Sequence, residues 1–261
     1  MTTTSSAVRT PPVWVRVVAP ITVGVVILVI WIVAVDVVKV APRALPSPIA
    51  IANEFVLRSG IIIEDMGITA SNALVGLAAG AIVAIVLAAL AATSRPADGM
   101  LAPLVAAIAV VPIVALTPIL NTMFGASSQF GRQSVAAIAA FVPVFVNVLR
   151  GLRQTRPVHR DVLRSSAATG LQTFRVLTLP TALPYLMSGL RIASSVAVIA
   201  ALVAEYFGGP ADGIGTAIAT YAKSGRASLA FAYVAGGIAI GLVFFLVTSL
   251  LEWLVSRRKP V

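Results

Sequence analysis

The side chains able to do chemistry are few in these 261 residues, and they are dispersed. His159 is the single histidine and there is no cysteine, so no nitrogen–sulfur metal site can be assembled. No Gly-x-x-x-x-Gly-Lys-Ser/Thr segment exists to cradle a phosphate chain. No nucleophile stands beside a base and an orienting acid. Glu64 and Asp65 are adjacent carboxylates, but they read as the end of a membrane span rather than a catalytic pair. The expectation is no catalytic, cofactor-binding or metal-binding residue. What remains are polar groups embedded in apolar sequence: Pro112, Thr117, Pro118, Asn121, Arg191 and Glu205. Prolines inside a span free backbone carbonyls that neighbours or cavity water must satisfy. Pro112, Thr117, Pro118 and Asn121 therefore either line a polar pathway or mark a kink used for packing. Ionisable groups are costly in lipid and face a bundle interior or an aqueous cavity. Arg191 and Glu205 lie about 21 Å apart along a helix and cannot pair within it. Arg191 reads as a side chain snorkelling toward one boundary. Glu205 reads as part of a gate or outer docking surface, or as a solvated carboxylate at a helix end.

A second pattern is a polar, basic island between apolar stretches, from Gly151 to Leu183. Pro157 sets an opening turn, and Asp161 falls near the expected helix start, where a carboxylate favours the dipole. Ser165, Ala167, Ala168 and Gly170 keep the middle slim. Phe174 offers an apolar knob beside Arg175. Leu179 and Pro180 close the island, and Pro180 and Pro184 are expected to stop the helix and redirect the chain. A short polar helix of this kind can seat in a groove of a partner and pass force to it. A generic basic loop would explain the arginines but not the ordered spacing.

Elements long enough to hold these groups follow from composition. The sequence is 59% hydrophobic and 11% charged, with a mean hydropathy of +1.02. A soluble domain averages about 25% charged, so the chain reads as an integral membrane protein. The formal charge of +10 does not imply nucleic acid, because the basic residues are not gathered on a soluble domain. Six apolar runs qualify as spans, at roughly 17–35, 66–92, 100–123, 133–150, 185–207 and 229–255. The first lacks a cleavage signal and reads as an uncleaved span. Ile49 to Leu57, after Leu45-Pro46-Ser47-Pro48, reads as a short interfacial helix. Gly76 and Gly80 form a Gly-x-x-x-Gly pattern, for packing within the subunit or for a dimer seam. With the N-terminus inside, twelve basic residues face the cytoplasm (Arg9, Arg16, Arg95, Arg150, Arg153, Arg156, Arg160, Arg164, Arg175, Arg257, Arg258 and Lys259). Six face outward: Lys39, Arg43, Arg58, Arg132, Lys223 and Arg226. The positive-inside rule then puts both termini in the cytoplasm. The domain reading is a tail over 1–16, a transmembrane unit over 17–255 and a second tail over 256–261.

The island resembles the cytoplasmic signature loop of bacterial ABC-importer permeases. That loop reads acid-Ala-Ala, three residues, Gly, nine residues, Ile-x-Leu-Pro. Asp161 stands at the acid, Ala167 at the glycine, and Leu177, Leu179 and Pro180 at the close. Asp replaces Glu and Ala replaces Gly. Val111 to Gly125 resembles the end of that family's third span, and Ala204-Glu205-Tyr-Phe-Gly-Gly-Pro210 with Gly213-Ile-Gly215 the end of its fifth. Leu-Pro-Ser-Pro is similar to the alkanesulfonate, taurine and nitrate branch; other segments look like permeases for thiamine-precursor pyrimidines or riboflavin. The resemblance implies an all-α, type I importer transmembrane domain of about six helices in the bacterial inner membrane. It implies two separate ATPase subunits, an extracytoplasmic solute-binding protein and a second permease copy, all within membrane lipid. Asp161 to Arg175 would then carry motion from the ATPase into the spans. A secondary transporter working without an ATPase is the alternative from another class.

Overall fold

The computed structural model describes residues 13–125, 128–208 and 212–257. Most of the two expected tails, and Gly209 and Pro210 of the fifth-span segment, lie outside the described residues. Within them the chain is a succession of helices: α1 (Val13–Asp36), α2 (Pro48–Leu57), α3 (Ser59–Thr93), α4 (Arg95–Val110), α5 (Ile113–Phe124), α6 (Gln129–Arg153), α7 (Pro157–Ser165), α8 (Gly170–Thr173), α9 (Leu179–Phe207), α10 (Ile214–Lys223) and α11 (Ala227–Arg257). Helices are what an apolar chain must form in lipid, where every backbone donor and acceptor has to be paired inside the segment. Five stretches are long and apolar enough to span, and α4 with α5 makes a sixth only as a bent pair.

Helix α6 is the centre of the packing, held between α3 and α9. Small residues make this possible. A side chain at Gly76 would meet the Gln133 carbonyl at 2.7 Å, and one at Gly80 would run into the carbonyl of Ala137. The Gly-x-x-x-Gly pair therefore brings α3 against α6 of the same subunit. On the opposite flank Gly189 of α9 sits against Asn147 and Val144, and Gly151 of α6 against Ala182 and Tyr185. Val135, Ala136, Ala140 and Val144 are fully buried at the centre. Helix α1 stands apart, with most of its described side chains exposed; Trp31 anchors it by donating to the Pro46 carbonyl and by a tilted ring contact with Phe231.

Two expectations about the spans are corrected. The run 100–123 is not one helix: it bends by 93° between α4 and α5. Pro112 has no N–H, and the residue before a proline is driven out of the helical region; Val111 is accordingly extended, with φ −66° and ψ 124°. Glu64 and Asp65 do not end a span, because α3 begins at Ser59 and includes both. The short helix after Leu-Pro-Ser-Pro is present as α2, with Ser47 accepting from the Ala50 N–H and Pro48 in the first turn.

A bulky residue at Gly80 cannot be absorbed, because what it meets is backbone. Gly80→Leu should lower the stability of the detergent-solubilised chain by about 1–3 kcal/mol, read as a fall in the thermal midpoint. Gly24→Leu, where nothing lies within 4 Å, should leave that midpoint unchanged.

Candidate functional site

At one end of the bundle the polar island forms a compact turn of defined geometry. Helix α7 is entirely unburied, with Val158 and Val162 displayed one turn apart and 67% and 57% exposed. Val162 and Leu163 stand where the family pattern has two alanines. Helix α7 ends in a Schellman motif. The Ala168 N–H donates to the Leu163 carbonyl and the Ala167 N–H to the Arg164 carbonyl, both at 3.0 Å. Ala167 therefore takes the left-handed position, with φ 55°. The same motif closes α10, where the Arg226 N–H reaches Tyr221 and the Gly225 N–H reaches Ala222. There the left-handed residue is Gly225, with φ 74°. The glycine of the family pattern thus has a backbone reason, and Ala167 holds that position at a strain of about 1–2 kcal/mol.

The chain restarts at once. Thr169 and Gln172 form a reciprocal capping box over the first turn of α8, which opens on Gly170. Phe174 to Thr178 then widen into a π-turn, in which the Leu179 N–H bonds the Phe174 carbonyl. Pro180 follows immediately. The expectation that Pro180 and Pro184 stop the helix is overturned: Gly170 to Phe207 runs as one 38-residue span candidate. A π-turn beside a proline absorbs the missing donor, since the register has already slipped by one carbonyl. Ala167 and Ala168 are not a slim mid-helix stretch but the turn between two helices. Asp161 is the fifth residue of α7, beyond the first turn. It faces Arg164 at 3.8 Å, with both side chains exposed. Ser165 turns its hydroxyl back to the Val162 carbonyl. Phe174, Arg175, Leu179 and Pro180 are all exposed.

Above this turn, Arg153 at the end of α6 ties two further helix ends. It pairs with Asp98 in the first turn of α4 at 2.7 Å and donates to the Ala91 carbonyl at 3.2 Å. Arg191 does not simply snorkel: it pairs with Glu252 of α11 at 3.1 Å, and Ser188 donates to the same carboxylate.

At the opposite end lies a cluster with no counterpart in the sequence reading. Glu205 is fully buried, neither solvated nor lining an open surface. Its Oε2 accepts from Thr69 Oγ1 at 2.8 Å and from the Gly215 N–H at 3.0 Å. Its Oε1 accepts from Asn72 at 3.3 Å. Thr69 in turn accepts from the Ile214 N–H, so the carboxylate caps the start of α10 directly and through a hydroxyl. Gly213 has φ 97°, and a side chain there would meet the Glu205 carboxylate at 2.7 Å. Arg132, counted among the basic residues of the outer membrane face, is fully buried within the bundle. Its Nη1 donates to Asp212 Oδ1 at 2.8 Å and to Gln129 Oε1 at 3.1 Å, and Gln129 accepts from Asn72 as well. The cluster clasps α3, α6, α9 and α10 together. One signal for it was available, the spacing of Asp65, Thr69 and Asn72 along one face of a single apolar run.

Among the pathway candidates, Pro112 precedes α5 and is exposed, as is Pro118. Thr117 and Asn121 turn inward and are buried, with Asn121 wedged between Gly131 and Gly208. Thr117 Oγ1 and Asn121 Nδ2 have no hydrogen-bond partner among the described residues.

Comparison with known proteins identifies the class. Residues 76–260 match the model of the family described as binding-protein-dependent transport system inner membrane component, and the chain belongs to that family. It is an ABC-importer permease, a multi-pass membrane subunit. Among curated relatives, it is 31% identical over 183 residues to the formylaminopyrimidine transport permease protein ThiX of Halalkalibacterium halodurans, covering 70% of this chain and 72% of that one. It is 30% identical to the riboflavin transport system permease protein RibX of Chloroflexus aurantiacus, over 88% of this chain and 86% of that one. It is 28% identical to the putative aliphatic sulfonates transport permease protein SsuC of Bacillus subtilis, over 87% and 84%. The fold matches a chain of the MetNI methionine ABC transporter in inward-facing conformations, with a TM-score of 0.66 and 16% identity, covering 76% of this chain and 97% of that one. The expected all-α, type I importer architecture is therefore the observed one.

Asp212 is half-exposed, and the hydrogen bond from Arg132 holds its carboxyl below the usual carboxylate range. A depressed folded value means the stabilisation is present above the unfolded pKa, about 3.9, and is lost as pH falls through the folded value. Wild type should therefore be more stable than Asp212→Asn at pH 6, by under about 1 kcal/mol given the exposure. The gap should close below about pH 4, as read from thermal midpoints of the two proteins across that range.

Proposed function

We propose that this chain is the membrane half of an ATP-driven importer for a small organic solute, with α7 as the element on which a separate ATPase subunit acts. The observation that carries this reading is the unburied α7, joined by the turn at Ala167 to an unbroken helix running through the bundle. Force applied to Val158 and Val162 has a direct structural route into α9. Asp161, Ser165, Ala167, Ala168, Gly170, Phe174, Arg175, Leu179 and Pro180 make up that coupling element, within the loop 151–183. Two ATPase subunits act on two copies of this chain, since one bundle of this size supplies half of a translocation pathway. A solute-binding protein delivers cargo at the face opposite α7. The named relatives for formylaminopyrimidine, riboflavin and sulfonates support a small organic cargo.

Residues 17–255 are the transmembrane unit, and the tails 1–16 and 256–261 lie with α7 in the cytoplasm, as the arginine distribution favours. Helix α5 is the pathway element. Pro112 provides its hinge, Pro118 lies on its exposed face, and Thr117 and Asn121 keep unpartnered polar atoms that a turn of α5 would present to the solute. Glu205 acts at the outer gate by holding the α9–α10 corner shut. ATP binding and solute delivery bias opposite states of one alternating-access equilibrium.

Substitution at Ala167 tests the coupling reading. Ala167→Gly relieves the left-handed strain and should retain full transport. Ala167→Trp puts a bulky side chain on the docking turn and should leave ATPase activity without transport, or release the ATPase. Normal uptake by Ala167→Trp in reconstituted vesicles would sink the reading. Orientation has its own measurement, since the chain has no cysteine. His159→Cys should be shielded from an impermeant thiol reagent in intact cells, and Lys223→Cys should react.

A further inference from the structure

Helix α4 lies loosely on the bundle. Val105 is its one buried residue, and a groove of about 400 Å³ separates it from α6. Ala102, Ala106 and Ala109 form one wall, and Phe145, Val146 and Leu149 the other. At the α7 end the groove closes on Arg150 and Arg153. Arg95 begins α4 on the same helical face as Ala102. Two arginines, Arg150 and Arg153, therefore line this rim, against one acid, Asp98.

The charge pattern says what fits. Arg153 is already paired with Asp98. Arg150 is exposed and takes part in none of the ion pairs among the described residues. Among the described residues, each acid at this end of a second copy already faces an arginine of its own chain. Asp98 is held by Arg153, Asp161 faces Arg164, and Glu252 is held by Arg191. Burying Arg150 unpaired in such an interface would be strongly unfavourable. A soluble partner reaches the rim but not the apolar walls, which run up α4 and α6 at membrane depth.

We propose that this groove binds an anionic phospholipid of the leaflet at the α7 end. Arg150 contacts the headgroup phosphate, and one acyl chain lies along Ala102, Ala106 and Ala109. Basic clefts between spans recognise anionic headgroups in this way. The site joins α4, which leads through Pro112 to α5, to α6, which leads to α7. Its occupancy therefore sets how closely the two helices can approach. The proposal holds whichever face of the membrane carries α7.

Native mass spectrometry of the purified chain with phosphatidylglycerol or phosphatidylcholine tests it. Phosphatidylglycerol should be retained preferentially. Arg150→Gln should reduce that preference about fivefold, the weight of one basic side chain near an anionic headgroup. Ala106→Trp, which fills the groove without touching charge, should abolish retention of the tightly held lipid. Equal retention of both lipids, or a preference unchanged in both variants, would overturn the assignment. So would a disulfide between copies in Ala106→Cys, which would give the groove to a second chain. Should the variants fail to fold, the comparison of the two lipids on wild type still decides.

Discussion

The close approach of α3 and α9 to the two flanks of α6 is the constraint on which the remaining structure depends. Lipid tails are as apolar as leucine, so greasy side chains alone do not draw helices together in a membrane. Backbone proximity, dispersion and internal hydrogen bonds do. Gly76 and Gly80 on one side, and Gly189 with Gly151 on the other, remove the side chains that would keep the axes apart. Once these three helices are fixed, their ends are fixed too. The clasp around Glu205 forms where α6 begins and α9 ends beside the Thr69–Asn72 stretch of α3, and Arg153 gathers α3, α4 and α6 at the opposite end.

The two ends use polar groups differently. Around Glu205 the donors converge on a buried carboxylate whose two oxygens are each partnered. A carboxylate satisfied in this way is held rigidly, because moving it leaves a costly unpaired group, while the neighbouring Arg132 keeps Nε and Nη2 without a hydrogen-bond partner among the described residues. Around α7 the polar groups are exposed, and the backbone turn is held by only a few local bonds. Stability is thereby concentrated at one end and adaptability at the other. That division suits a subunit moved by a partner at a single face.

Much of this was legible from residue patterns, and the failures share a cause. Long apolar runs gave the spans, because length and hydropathy are properties of a single segment. Ser47 and Pro48 marked the start of α2 for the same reason. The spacing of Asp161, Ala167 and Pro180 marked the loop for which coupling is proposed, but the backbone reason for the family's glycine emerged only with the left-handed φ of Ala167. Prolines misled in both directions. Pro112 breaks its span more sharply than a kink, while Pro180 is absorbed by a π-turn that no local propensity announces. The burial of Glu205, read as a gate or docking group or a solvated carboxylate, and of Arg132, counted only as a charge of the outer face, was missed because their partners lie on other helices. Thr69 is 136 residues from Glu205, and Asp212 is 80 from Arg132. One-dimensional patterning cannot report a pair of that kind.

The unbroken run from Gly170 to Phe207 has a consequence in length. Thirty-eight residues at about 1.5 Å each make a rod of about 57 Å. A bilayer with its headgroups is about 40–45 Å thick. The rod exceeds that thickness by about two to three helical turns, and Glu205 is pinned by the clasp near its far tip. The Ala167 turn lies just beyond the opposite, unpinned end of this rod. A small tilt about the pinned tip moves the opposite end of the rod further than any other part of it, so the turn at Ala167 stands at the long end of a lever.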